Sequence, residues 1–268
     1  MRPHLFGFHL LGWNIQIPTY GVMLALAFIA ALWLAMRSAR RMGLPRDPIM
    51  DLWIAALVSG IVGAKLLLYL LDLPYYLSNP MAILLGLRSA GVFYGGLLAG
   101  VGTCLFIVWR RGLPGWIIAD IAAPSIALAQ SIGRLGCFAA GCCYGKVTDV
   151  SWAVIFTSPE AQDITGVPLH VPLHPSQIYM AASNLLLFLV LLLIGCRKRY
   201  DGQVFLWYLL LYAVIRALLE LTRGDPRGEL LGYSTSQIIA AAAALAAGFM
   251  MWRRSRIPRL RADVGVAK

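Results

Sequence analysis

Residues Gly133 to Gly145 read GRLGCFAAGCCYG. The run holds four glycines, one arginine and three of the five cysteines, and it follows an apolar stretch. Hydropathy alone does not gather such residues at the end of a span. An arginine near hydrocarbon costs about 2.5–3.5 kcal/mol at a helix centre and usually marks a site. Glycines let the backbone approach a ligand closely or turn with positive φ. The stretch therefore reads as the wall of a pocket that holds an anionic group at the outer membrane face.

The rest of the chain supports a membrane setting. Of 268 residues, 60% are hydrophobic and only 13% charged, about half the usual charged share. Mean hydropathy is +0.74. Several apolar runs reach the roughly 20 residues that a bilayer crossing takes, and none alternates polar and apolar as barrel strands do. The fold class is an all-α polytopic membrane protein, one transmembrane domain over 1–268, with outer loops at about 72–90 and 146–173, the second a small periplasmic cap. A net charge of +11 raises nucleic acid as a partner, but the basic residues cluster at span ends, as the positive-inside bias requires. Nucleic acid is excluded on that placement.

Seven spans follow. Met1 to Pro18 is an amphipathic lead lying at the interface with Trp13. The first span, about Thr19 to Met36, ends in RSARRM rather than in a small-residue cleavage site, so it reads as retained. Arg37, Arg40, Arg41 and Arg46 put that loop inside and the N-terminus outside. The others cover about Pro48 to Leu71 (with Lys65), Gly91 to Trp109, Trp116 to Ile132 (with Asp120 and Pro124), HPSQIY to the residues before Arg197, Gln203 to Leu221, and Thr235 to Trp252. Pro175 suits a first helical turn. The basic tail then falls on the cytoplasmic side.

Chemistry concentrates at the outer ends. Tyr212, Arg216, Glu220 and Arg223 are spaced for one helical face. Arg216 lies about 20 Å into the sixth span at 1.5 Å per residue, and Glu220, one turn on, can pair with Arg216 or Arg223. Arg134 is a second cation. Two guanidinium groups match phosphate oxygens bidentately and keep their charge; the alternatives are a snorkelling arginine, an ion pair, or passive headgroup contact. Tyr94, beside Gly95 and Gly96, can donate to a phosphate or act as a base, or be an interfacial aromatic, and Tyr20 shares that ambiguity. Cys137, Cys142 and Cys143 can pack, pair as a disulfide, bind zinc with His170 or His174, or supply a thiolate. Cys104 and Cys196 read as core filler. His174, Ser176, Gln177 and Tyr179 open the fifth span, where His174 and Gln177 fix the cap or touch substrate.

Together these stretches resemble the bacterial prolipoprotein diacylglyceryl transferase family. The resemblance runs from IPTYG to the last spans. It is carried by GRLGCFAAGCCYG, similar to the family's glycine-arginine signature with its closing glycine, by HPSQIY, by YAVIRALLELTRGDP and by YGGLLAG. It implies a seven-span inner-membrane enzyme, N-terminus periplasmic and C-terminus cytoplasmic, that moves the diacylglyceryl group of phosphatidylglycerol to the thiol of a lipobox cysteine and releases glycerol phosphate. Arg134 and Arg216 would hold the phosphate. Gly133, Cys137 and Gly145 belong to the signature, Glu220 and Arg223 support the clamp, and Tyr20 lines the pocket. No cofactor and no metal is expected. The family has histidine where this chain has Tyr94, asparagine at Cys137 and glutamate at Cys142, so the departures fall on groups suited to the acceptor. Tyr94 would help deprotonate the acceptor thiol, or the thiol arrives ionised near the arginines. The competing readings are a paralogue with the same donor and another acceptor, and a non-catalytic lipid-binding or transporting membrane protein.

Overall fold

A computed structural model describes residues 4–10, 13–86, 91–225, 229–230 and 233–255. Residues 87–90 of the expected outer loop and the tail past 255 lie outside the described residues. Two strands, β1 (His4–Leu10) and β2 (Trp13–Pro18), precede α1 (Thr19–Arg41), α2 (Arg46–Leu71), the short α3 (Leu73–Ser78) and α4 (Pro80–Gly86), α5 (Phe93–Arg110) and α6 (Gly115–Ala140). Then come β3 (Val154–Ile155), α7 (Pro159–Thr165), β4 (Pro172–Leu173), α8 (Ser176–Cys196), α9 (Gln203–Glu220), β5 (Glu229–Leu230), β6 (Tyr233–Ser234) and α10 (Thr235–Ser255). Among the described residues seven helices (α1, α2, α5, α6, α8, α9 and α10) are long and apolar enough to cross a membrane. This is an all-α polytopic membrane protein.

The amphipathic lead before α1 is an antiparallel hairpin of β1 and β2. Two expectations are corrected. The fourth span runs to Ala140, eight residues past the expected end at Ile132, so most of the signature is helical. Pro175 is the residue before α8 rather than part of its first turn, with φ −75 and ψ 62; its ring has no N–H to donate, which costs nothing at a helix entry.

The chain forms two compact units. In residues 34–118, α2 and α5 approach through small residues. A Cβ built on Gly95 would strike the Gly63 carbonyl oxygen and the Leu67 side chain, and one on Gly96 would lie 2.9 Å from the Gly60 carbonyl oxygen. Without water to drive helices together, such close backbone packing is how membrane helices associate. Leu98, Leu105 and Trp109 on α5 are exposed, as a lipid-facing surface requires.

The other unit holds residues 1–33 and 119–268. Ala123 and Ala127 of α6, Leu187 and Leu191 of α8, and Val204 and Tyr208 of α9 form its buried core. The Ser131 hydroxyl donates to the Ala181 carbonyl at 2.8 Å, tying α6 to α8. Asp120, 2% exposed, accepts from the backbone N–H of Gly202 at 2.9 Å and of Phe205 at 3.1 Å. It thus caps α9 from a neighbouring helix, satisfying donors that no residue within α9 reaches. Lys198 Nζ lies 3.3 Å from the same carboxylate. Burial works against the Lys198 charge, but Asp201 and Asp120 more than offset it and hold its pKa above the ordinary value. Asp120→Ala leaves two buried donors unpaired and is expected to cost about 3 kcal/mol. Reversible unfolding in mixed micelles measures this, and Asp120→Asn, which keeps an acceptor, should lose less. Equal stability of all three proteins would refute the cap.

The excursion between α6 and α8 folds around its own small core of Phe156, Ala161, Val167 and Leu173. β3 pairs with β4. Ser158 caps α7 through its hydroxyl, which accepts from Ala161 N–H at 3.4 Å, and Gly166 ends it at φ 70. Pro159 is the first residue of this helix, where its missing N–H costs nothing.

Candidate active site

The site is built where three backbone segments meet at the end of α6. The helix stops at Ala140, and Gly141 turns the chain with φ 80. Cys143 also takes the left-handed region, at φ 62, which a residue with a Cβ seldom adopts. The chain then runs extended. Gly145 forms an antiparallel bridge with Arg223, flanked by Lys146 N–H donating to Thr222 O at 2.9 Å and Gly224 N–H donating to Tyr144 O at 3.2 Å. On the other side His174 N–H donates to Lys146 O at 2.9 Å. The signature is therefore the middle strand between the start of α8 and the end of α9.

Gln177, 0% exposed, locks the turn by donating its Nε2 hydrogen to Cys142 O at 2.9 Å. Ser176 Oγ sits 3.2 Å from both the Thr222 carbonyl and the Thr222 hydroxyl. His174 Nδ1 lies 3.3 Å from the Tyr179 hydroxyl, which also accepts from Trp152 Nε1 at 2.6 Å. Of the HPSQIY side chains, Gln177 fixes the turn itself and Ser176 ties the start of α8 to Thr222 beside it.

The turn gathers the three cysteines. Their Sγ atoms lie within 4.8 Å of one another, and all five cysteines of the chain are free thiols. Of the alternatives open in the sequence, no disulfide joins them. Neither His170 nor His174 joins the group, because among the described residues it consists of cysteines alone. Hydrogen bonds from Cys137 and Cys142, aided by the positive fields of Arg134 and Arg223, hold the Cys143 thiol below its usual range. The complementary bonds from Cys137 and Cys143 push Cys142 upward.

Arg134 is half-buried on the last turns of α6, close enough to act electrostatically on Cys137, Cys143 and Tyr20. Among the described residues it makes no hydrogen bond or ion pair. Tyr20, from the first turn of α1, approaches the same helix at Gly136, where an added Cβ would lie 2.9 Å from Met23 Cβ and 3.4 Å from Tyr20 Cδ2. A Cβ placed on Gly133 would meet no neighbouring element within 4 Å.

Arg216 is 8% exposed. Its Nη1 pairs with Glu220 at 2.5 Å and its Nη2 donates to Ser236 Oγ of α10 at 3.0 Å. Tyr212, a turn earlier, stacks on Tyr208 with ring centroids 5.6 Å apart. Arg223 does not continue this helical face: α9 ends at Glu220. Its guanidinium grips Asp225 with two bonds of 2.9 Å, and its field reaches Cys143. Burial weakens its charged form, but Asp225 and Cys143 raise its pKa above the ordinary value. Asp225, Ser236 and Thr222 escaped the sequence reading. Asp225 stands two residues beyond Arg223 in the quoted RGDP, which is the one available signal. Tyr94, Gly95 and Gly96 belong to the other unit, where the two glycines pack on α2 and Tyr94 is exposed.

The family model described as Prolipoprotein diacylglyceryl transferase matches residues 7–253. A phosphatidylglycerol–prolipoprotein diacylglyceryl transferase of Clostridium tetani is 38% identical over 241 residues, 90% of this chain and 92% of that protein. The protein of the same name from Geobacter sulfurreducens is 34% identical, with 81% of each chain covered. In Clostridium perfringens, phosphatidylglycerol–prolipoprotein diacylglyceryl transferase 2 is 31% identical over 85% of this chain and 87% of its own. With the match spanning every helix of the site, the chain belongs to the prolipoprotein diacylglyceryl transferase family.

Proposed function

We propose that this protein transfers the diacylglyceryl group of phosphatidylglycerol to the thiol of a lipobox cysteine in a prolipoprotein, releasing glycerol phosphate. Its relatives carry that name. The observation that carries the reading is Arg134, a guanidinium without a carboxylate partner among the described residues, beside the turn where the ends of α6 and α9 and the start of α8 meet. The protein lies in the inner membrane with this turn and the N-terminus toward the periplasm, and the C-terminus in the cytoplasm.

Phospholipid enters from the outer leaflet. Arg134 and Arg216 bind its phosphate, Glu220 orients Arg216, and Arg223 adds positive field through its place beside Cys143. That positive field favours the thiolate form of the lipobox cysteine. The thiolate attacks the glyceryl C3 carbon, a C–S bond forms, and the C–O bond to phosphate breaks. The electron pair leaves on the phosphate oxygen of glycerol phosphate, which can take up the proton. Charge grows on the leaving phosphate, so fixed donors aimed at it lower the barrier.

The test is transfer from labelled phosphatidylglycerol in vesicles to a lipobox peptide. A cysteine peptide should be lipidated and its serine counterpart should not. Arg216→Ala should lower turnover by about 10²-fold or more. Glu220→Gln, which keeps the shape but weakens the orientation of Arg216, should cost about tenfold. Well-folded protein that lipidates no cysteine peptide would overturn the assigned acceptor.

A further inference from the structure

Cys137, Cys142 and Cys143 are not used by the chemistry above, yet the fold holds them together with unusual care. Cys143 is kept at φ 62. The Cys142 carbonyl is clamped by the fully buried Gln177, and the Cys142 thiol donates to the Cys137 carbonyl at 3.7 Å. The three sulfurs, half-buried and all reduced, lie within 4.8 Å of one another. Zinc bound at about 2.3 Å to each thiolate places tetrahedral sulfurs about 3.8 Å apart, which small side-chain rotations reach from this arrangement. Three thiolates around a divalent ion leave one net negative charge, and Arg134 and Arg223 supply positive charge next to it. Among the described residues no histidine, carboxylate or fourth cysteine completes the set. That matches a zinc site with an open coordination position, the arrangement of catalytic rather than structural zinc.

We infer that Cys137, Cys142 and Cys143 bind one zinc ion whose open position takes the thiol of the acceptor cysteine. The inference rests on the transferase reading for the identity of that fourth ligand, though not for the metal site itself. The acceptor thiol gives its proton to solvent on coordination. Its sulfur lone pair then forms the C–S bond to C3 while the C3–O bond breaks toward the phosphate. The thioether product, a weaker ligand than a thiolate, dissociates. Zinc changes no oxidation state, so no oxidant or reductant is required. A free thiol near neutral pH is only a few per cent ionised, so full ionisation at the metal raises the reactive fraction by about thirtyfold.

The full-length protein, purified in detergent, stripped with a chelator and kept reduced with a phosphine, is titrated with Co²⁺. One ion per chain should bind with thiolate-to-cobalt charge-transfer absorption of three-thiolate strength. A lipobox cysteine peptide should raise it to four-thiolate strength, and the serine peptide should leave it unchanged. Cys142→Ser and Cys143→Ser should lose the band, while Cys104→Ser keeps it. Absence of the band in wild-type protein overturns the inference, as does a disulfide within the trio in protein taken directly from the membrane. A band indifferent to the cysteine peptide overturns the open-position assignment. Transfer activity separates the two readings. Metal-free protein should be about thirtyfold slower and recover with Zn²⁺. If metal-free protein transfers at full rate, the zinc inference falls and the transferase reading stands. If the band responds to peptide but no diacylglyceryl group moves, the transferase reading falls and the metal site stands.

Discussion

Arg134→Ala should lower kcat/KM for diacylglyceryl transfer by about 10²–10³-fold, the range seen when one preorganised donor to a developing negative charge is removed. Arg134 is the cation best placed for this. Arg216 divides its donors between Glu220 and Ser236, and Arg223 is held bidentately by Asp225. Arg134 alone of the three makes no hydrogen bond or ion pair among the described residues. Arg134→Lys keeps the charge but not the planar fork that matches two phosphate oxygens, so it should fall between wild type and alanine. The fold should be indifferent to both changes, because no partner is left behind. Rates measured in phosphatidylglycerol vesicles with a lipobox peptide, alongside thermal unfolding, separate the two effects. Near wild-type transfer by Arg134→Ala would remove Arg134 from the phosphate site.

The sequence made the spans legible because hydrocarbon imposes length and composition together, and few helices satisfy both by accident. The expected inner and outer ends differ from the structure by only a few residues, except at α6. There the glycines of Gly133–Gly145 argued for a loop. In the structure Gly133 and Gly136 are helical, and Gly136 is small because α1 passes close at Met23 and Tyr20. A glycine needed for packing and a glycine needed for a turn look alike in a sequence. Only Gly141, at φ 80, is a turn glycine here. The end of α9 was hidden for a different reason. Helical spacing continued on paper through Arg223, while Gly145 captured that residue by backbone pairing, a long-range contact that no local pattern announces. The same limit applied to the cysteines. Three thiols in seven residues left packing, a disulfide, zinc and a thiolate role open, and only the folded turn shows them grouped and unbridged.

That backbone pairing makes Gly145 the position least tolerant of change. A Cβ there would overlap the His174 carbonyl oxygen and lie 2.5 Å from Ser176 Oγ and 2.6 Å from His174 Cβ. These are backbone and short side-chain atoms at the start of α8, anchored by their own hydrogen bonds, so no flexible tip can swing aside. Across the bridge, the Gly145 carbonyl oxygen already sits 2.6 Å from where a Cβ of Gly224 would be. A side chain at 145 therefore has to push the strand off α8 or off the Thr222–Gly224 segment. Either displacement breaks the bonds of Lys146 N–H to Thr222 and His174 N–H to Lys146, and moves Arg223 from the cysteines. Gly145→Ala is expected to destabilise the protein by about 2–4 kcal/mol, as overpacking a well-filled site does, and to reduce transfer by at least the factor lost with Arg134. Gly133→Ala, next to open space on the same signature, should retain the wild-type fold and, with alanine the better helix former, gain up to about 1 kcal/mol. Micellar unfolding and vesicle transfer on the two variants test the contrast. If Gly145→Ala folds and turns over like wild type, the three-segment junction is not what positions the site.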